Sequence, residues 1–293
     1  MDALSHALIA SIMFSAPGFA PLLPFAILGT VIPDADILFP AISDTTPSLY
    51  LFTHGGITHS ITGVFVLSLL VYGVVVLLAA AGIIPADSIA ATGVSGFAAV
   101  LDGALLHIVI DVAAIPGIPV LAPFTDRKYT LGILPGPSIL LAIAAIGVVA
   151  VTTLSFLPFS SAIVLYGAMV ISYIAVRAGM FLIAGVKLPG RRIPSINPFR
   201  WLVIREDESS YLIRYYTLFR GYSDEGVVEK FRNSNARELA AASRFPHVRR
   251  FIFFSYIVTA ERTGPVLILT DPLREKGYLH YPMKFRRVEV KLD

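Results

Sequence analysis

His54-Gly-Gly-Ile-Thr-His59-Ser60 leads straight into Ile61-Thr-Gly-Val-Phe-Val-Leu-Ser-Leu-Leu-Val-Tyr-Gly-Val-Val-Val-Leu-Leu-Ala-Ala80, two imidazoles at the mouth of an uncharged apolar run. The run covers about 60–84, and similar ones follow at 90–115, 138–158 and 161–186. Each supplies the roughly 20 helical residues that cross about 30 Å of hydrocarbon. In lipid only helices or closed barrels satisfy the backbone, and these continuous runs lack the alternation of barrel strands. Two shorter runs, 3–14 and 20–32, are broken by Pro17-Gly18, Pro21 and Pro24 and read as a helical hairpin packed on the others. The expected fold is an all-α, multi-pass membrane helical bundle of four long transmembrane helices plus this N-terminal hairpin. A small soluble α+β domain follows it.

Composition supports the division. The chain of 293 residues is 56% hydrophobic, with a mean hydropathy of +0.75, which excludes an ordinary soluble domain. No Lys or Arg precedes Arg127, while that stretch carries eight Asp. From Lys187 onward 20 Lys/Arg face 12 Asp/Glu. We therefore expect a membrane-embedded metal-binding domain at 1–186 and a cytoplasmic α+β domain at 187–293. The absence of cysteine excludes disulfides, thiolate metal sites and Cys nucleophiles. The first residues lack the basic start of a signal peptide, so the segment is read as retained.

Arg127 and Lys128 follow the second long run, and Lys187, Arg191 and Arg192 follow the fourth, whereas 85–89 and 158–160 contain no Lys or Arg. The positive-inside rule makes the first face cytoplasmic, in the cell's inner membrane. Counting back along the runs puts the N-terminus, Asp34, Asp36 and the 40–59 loop on the same face. In the tail, Tyr211–Arg220 alternates like a strand, 224–243 is charged, Ala-rich and helix-like, and 248–259, 264–270 and 278–291 are strand-like. The basic balance suits anionic headgroups. No recognition motif points to nucleic acid, and nothing in the sequence indicates an oligomeric state.

Four of the six histidines lie at or before residue 107, close to three aspartates, in sequence where ionisable groups are costly without a shared partner. His107 and Asp111 are four apart and share a helix face. Pro33-Asp34-Ala-Asp36 ends the hairpin, and its alternate carboxylates point into one pocket if that turn is extended. His54 and His59 flank two glycines, with Thr58 and Ser60 able to cap the next helix or orient ligands. The candidate metal ligands are His6, Asp34, Asp36, His54, His59, His107 and Asp111, and the candidate catalytic carboxylates are Asp34, Asp36 and Asp111. Such an N,O set suits a divalent cation, zinc first, with manganese or iron as alternatives. Seven ligands exceed one tetrahedral zinc, so one or two ions are expected. Metal-activated water would then cleave a phosphodiester or ester of a lipid or membrane-presented substrate. The blander readings are a His–Asp hydrogen bond between helices and an Asp pair capping a turn. A different class, a non-enzymatic metal sensor or cation transporter, would line a pathway with Asp102, His107 and Asp111. Asp102 is out of phase with Asp111 and is expected to pair with Arg177.

The order His6, Pro33-Asp34-x-Asp36, His54-x-Gly-x-Thr58-His59-Ser60, His107-x-x-x-Asp111 and Pro123-Phe124 resembles the predicted inner-membrane metal-dependent hydrolases. Some of these are of the LexA-binding, inner-membrane-associated type. The resemblance covers about residues 1–130, and Asn197-Pro-Phe-Arg-Trp201 resembles the start of the soluble tail in some members. That family is distantly similar to zinc-dependent phospholipase C and the single-strand-specific zinc nucleases. The resemblance implies that Asp111 bridges two ions, with His107, His59 and one of Asp34/Asp36 on the first and His6 near the second. Two departures are visible: Gly55 stands where the family often has Arg, and the His-x-x-x-Glu element of a third zinc is missing.

Overall fold

Asp2 starts the first helix: its carboxylate accepts the Ser5 amide at 2.9 Å and the Ser5 hydroxyl at 2.7 Å, and α1 runs Ala3–Phe14. The structure, a computed structural model, describes residues 2–16, 18–136, 138–279 and 284–292, with the backbone alone at 86–92, 224 and 225. After a turn at Ala20–Leu22 come α2 (Leu23–Val31), a 3-10 segment (Ile32–Leu38) and α3 (Pro40–Thr45). Pro33 lacks the amide an α-helix would use, and the tighter segment carries the helix on. Helical backbone thus continues over Ala20–Thr45. Among the described residues, this stretch, Ile61–Ala80 (α4), Gly93–Val112 and Phe159–Lys187 (α7) are the four helices long and apolar enough to cross a membrane. Gly93–Val112 is the main part of α5 (Ala86–Val112), whose helical geometry breaks at Gly93.

The four are not all the expected ones. The run at 138–158 forms α6 (Ile139–Thr153), whose 15 residues reach only about 22 Å and fall short of the hydrocarbon. Ser155, at φ 58°, and Pro158 turn the chain before the apolar run ends.

The chain forms two compact units, Met1–Ala41 with Leu51–Ala178, and Ile42–Tyr50 with Gly179–Asp293. In the first, Leu8 of α1 packs among Leu141 and Ala145 of α6 and Ile163, Tyr166 and Val170 of α7. Phe25 and Ala26 of α2 meet Ala99 and Val100 of α5, and Val64 of α4 meets Ala104 and Ile108. After α5 the chain folds back: Ile118 pairs with Tyr129, and the Ile61 amide donates to the Val120 carbonyl at 2.9 Å. Phe124 of the Pro-Phe pair is exposed there. Arg177, expected to pair with Asp102, is buried with its Nε donating to Tyr173 Oη at 3.3 Å, while Asp102 is exposed on α5.

The second unit holds two four-stranded sheets. β1 (Arg191–Pro194), β2 (Arg200–Glu206), β3 (Ser210–Thr217) and β4 (Gly221–Glu229) form the first, antiparallel and in that order. β5 (Phe231–Arg232), β6 (Thr259–Thr263), β7 (Val266–Thr270) and β8 (Arg287–Lys291) form the second, antiparallel except for the parallel β5–β6 pair. α8 (Ala236–Ala242), capped by Asn235 and Glu238, α9 (Pro246–Phe254) and α10 (Pro272–Glu275) complete it.

Two sequence expectations fail here. The helix expected at 224–243 is strand as far as Glu229 and again at Phe231–Arg232, and helical only in α8. The strand expected at 248–259 begins as α9, because Val248, Phe251 and Phe254 recur every three residues and are buried, with His247 and Arg249 outward. Residues 280–283 of the expected last strand lie outside the described residues. Ile42–Tyr50 belongs with this unit: Asp44 pairs with Arg250 and, at 2.8 Å, with Lys284, and the Tyr50 ring meets Phe253 at 5.3 Å.

A buried ion pair ties the second sheet together. Asp271 meets Arg274 at 2.8 Å and accepts the Tyr256 and Leu273 amides at 3.0 Å each, while Arg274 also donates to the Phe254 and Phe285 carbonyls. Burial pushes the Asp271 carboxyl up and the Arg274 guanidinium down, so each depends on the other to stay charged. Arg274→Ala strands a buried carboxylate and is expected to cost about 3–5 kcal/mol. Amide exchange in β6–β8 of the full chain should report the loss.

Candidate metal centre

The centre is built at helix ends. His107 and Asp111 occupy the last turns of α5, His6 the first turn of α1, Asp34 and Asp36 the 3-10 segment after α2, and His59 a 3-10 turn (Ile57–His59) entering α4. Ser60 caps α4, its hydroxyl oxygen accepting the Gly63 amide at 2.9 Å.

His107 Nδ1 lies 2.7 Å from the Thr30 carbonyl oxygen. A carbonyl only accepts, so Nδ1 carries the proton and Nε2 keeps its lone pair. Around that Nε2 stand His59 Nε2 at 3.1 Å, Asp111 Oδ2 at 3.3 Å and Asp34 Oδ1 at 3.6 Å. His59 Nε2 is in turn 3.5 Å from Asp34 Oδ1 and 3.6 Å from Asp111 Oδ2. A tetrahedral zinc, with donors at about 2.0–2.1 Å, separates its ligands by about 3.3–3.4 Å. Five of the six separations among these four atoms match that spacing within a few tenths of an ångström.

Asp36 plays a different part. Its Oδ1 lies 2.7 Å from His54 Nδ1, and its Oδ2 accepts the Gly55 amide at 3.1 Å and the Thr58 hydroxyl. His59 Nδ1 is 3.0 Å from Thr58 Oγ1 and 3.2 Å from Asp36 Oδ2. The Asp36 group therefore fixes the far edge of the His59 ring and turns Nε2 toward His107. Gly55, at φ 72°, adopts a backbone conformation that an arginine there would take only with strain. Burial disfavours charge on His59, but hydrogen bonds to Asp34 and Asp36 outweigh it and raise its pKa to about 9. The pocket favours positive charge at this point.

His6 completes the cluster. Its ring stacks on His107 at 3.9 Å, and its Nε2 lies 3.4 Å from Asp111 Oδ1, the oxygen that Asp111 does not aim at His59 and His107. The ring is fully buried, and neither nitrogen has a hydrogen-bond partner among the described residues. An unsatisfied buried imidazole calls for an explanation, and a bound cation is one.

Of the seven expected ligands, the structure gathers Asp34, His59 and Asp111 around His107, places His6 on the other oxygen of Asp111, and sets Asp36 and His54 behind His59. Among the described residues, three ligand groups could hold an ion: His6/His107/Asp111, Asp34/His59/His107 and Asp36/His54/His59. Asp34 and Asp111 remain 13% and 14% exposed, so water can reach the focus. Sequence reasoning missed Thr30 and the small residues that let α2 touch α5. The signal was present: Ala26 and Gly29 face Ala99, Val100 and Gly103, the close-packing pattern of membrane helices. Asp36→Ala should weaken metal binding by about 10–100-fold without abolishing it, the usual cost of an outer-shell partner. Competition with a chelator on the purified protein measures that loss.

No curated protein and no solved structure matches the chain. A family model, described as YdjM inner membrane protein, matches residues 1–183, which include all seven residues of the cluster and the four apolar helices almost entirely. The chain therefore belongs to the YdjM inner membrane protein family.

Proposed function

We propose that this protein is a membrane-bound, metal-dependent hydrolase acting on a phosphodiester or ester of a lipid or membrane-presented substrate. In this reading 1–186 is a multi-pass, metal-binding domain and 187–293 a cytoplasmic domain, with the site on the cytoplasmic side by the distribution of Lys and Arg. The observation that carries it is the 3.1–3.6 Å spacing of His59 Nε2 and His107 Nε2 from each other and from Asp34 Oδ1 and Asp111 Oδ2. The orphaned His6 on the second oxygen of Asp111 supports a second ion.

His59, His107, Asp34 and Asp111 would hold one divalent cation, zinc by donor type, and Asp111 with His6 would hold part of another. A cation in such a set supplies Lewis acidity and makes water a stronger acid near neutral pH. The residues themselves do the positioning. Thr30 fixes the His107 tautomer, and Asp36 with Thr58 fixes His59. Asp34 reaches the focus with one oxygen and offers the other to a proton from water. A transporter would need Asp102 beside His107 and Asp111, and Asp102 is exposed on α5 while His107 is buried.

Metal analysis of the detergent-purified full chain, paired with a panel of phosphodiesters and lipid esters, tests the reading. We expect one or two zinc ions per chain and hydrolysis that chelation abolishes and zinc restores. Bound metal with no hydrolysis across the panel would move the reading to a sensor. Absence of metal after careful repletion would sink both.

A further inference from the structure

α7 is 29 residues long, about 43 Å, and exceeds the roughly 30 Å of hydrocarbon by nine or so residues. Its final stretch, from Gly179, belongs to the second unit. Ala184 and Leu188 there share a core with Trp201 and Val203 of β2, and Met180, Tyr216 and Leu218 pack against it. Leu188 stands three residues before Arg191, which pairs with Ile204, so the helix end meets the Val203 end of β2. Met180 lies two turns back along the helix, and Leu218 lies past the opposite end of β3, yet both reach the same core. The sheet therefore runs back alongside α7. Arg192 confirms the direction, its guanidinium lying 5.1 Å from the Phe181 ring and against Gly185, where a Cβ would meet its Nη1 at 3.0 Å.

Two loops form the end of the sheet that lies on the Met180 side of this core. Ser195–Phe199 joins β1 to β2, Leu218–Arg220 joins β3 to β4, and the Leu218 amide donates to the Phe199 carbonyl at 2.9 Å. Ile196 is 70% and Phe219 80% exposed, with Phe199 at 5.7 Å from the Phe219 ring. Arg220 is exposed, and Arg200 lies over Tyr215 at 3.8 Å. The opposite end, the β2–β3 turn, carries Glu206, Asp207 and Glu208.

From this polarity we infer that the tip Ile196/Phe199/Phe219, with Arg200 and Arg220, is a membrane anchor that dips into the interface of an anionic bilayer beside its own helix. Exposed apolar and aromatic side chains ringed by arginine suit the headgroup boundary. The acidic turn at the other end faces away from anionic lipid. The tip's depth follows from α7: it returns to about the level of Met180, roughly 20 residues along the helix, the length that crosses about 30 Å of hydrocarbon. The inference rests on α7 spanning the bilayer and is independent of the metal centre.

Because the chain has no cysteine, single-cysteine variants label uniquely. Ile196→Cys, Phe219→Cys, Glu208→Cys and, in mid-α7, Ile171→Cys are each labelled with an environment-sensitive fluorophore in the full-length protein. The protein is reconstituted into phosphatidylglycerol/phosphatidylethanolamine vesicles. Labels at Ile196 and Phe219 should show blue-shifted emission and quenching by spin-labelled acyl chains, while the label at Glu208 is quenched only by a water-soluble ion. A Phe219 label as open to the aqueous quencher as the Glu208 label overturns the proposal. So does one shielded from both quenchers, which would place protein, such as a second copy, over the tip. If the Ile171 label escapes lipid quenching, the spanning reading of α7 fails and takes the proposal with it.

Discussion

Asp111→Ala is expected to strip the purified protein of tightly held metal, whereas His6→Ala loses only the fraction bound on its own side. The asymmetry follows from the two oxygens of one carboxylate. Oδ2 stands 3.3 Å and 3.6 Å from the His107 and His59 nitrogens, and Oδ1 stands 3.4 Å from His6. Removing the group withdraws one of the four atoms gathered around His107 and the link to His6, leaving three imidazoles with Asp34 as the remaining carboxylate. That loss should exceed the roughly 10–100-fold typical of outer-shell changes. The variants should therefore rank Asp111→Ala above His6→Ala, and His6→Ala above Asp36→Ala, in metal lost at equal free concentration. Metal content by mass spectrometry, alongside helical circular dichroism to confirm folding, gives the order. If Asp36→Ala proves as damaging as Asp111→Ala, the ion sits instead among Asp36, His54 and His59.

Much of this centre is legible in sequence, since His107 and Asp111 need only helical spacing to share a face, and a polar cluster in apolar sequence announces itself. What sequence leaves open is which aspartate does what. Alternate residues of an extended turn would both enter one pocket. Asp34 and Asp36 instead sit in a 3-10 segment, where residues two apart point about 240° around the axis. One carboxylate reaches the focus, and the other passes behind His59. The same limit applies elsewhere. The aromatic run after Val248 reads as strand by propensity, but its burial follows a three-residue period and Pro246 suits a helix start. The run at 138–158 is apolar throughout, and only the backbone turn at Ser155 shortens it. No local pattern could show that Asp44 pairs with Arg250, 206 residues away, and so draws the 42–50 loop into the second unit.

Gly103→Ala should abolish metal binding without touching a single ligand. A Cβ at Gly103 would lie 2.1 Å from the Ala26 carbonyl oxygen and 2.9 Å from the Thr30 amide nitrogen and hydroxyl. Backbone cannot yield as a flexible side chain does, so α2 and α5 must part by about 1 Å to reach ordinary contact. Thr30, which fixes His107, lies at the end of α2, and Asp34 follows four residues later, while His107 and Asp111 ride on α5. Metal sites tolerate ligand displacements of only about 0.2 Å, so a shift several times larger takes the focus apart. Stability should change far less: overpacking costs about 1–3 kcal/mol, and replacing a helical glycine by alanine returns up to about 1 kcal/mol. Gly29→Ala, where a Cβ would meet the Val100 carbonyl oxygen at 1.9 Å, should behave alike, and Gly147→Ala on α6, with open space around it, should leave metal content unchanged. Full metal occupancy in a folded Gly103→Ala protein would mean that the α2–α5 contact does not set the ligand spacing.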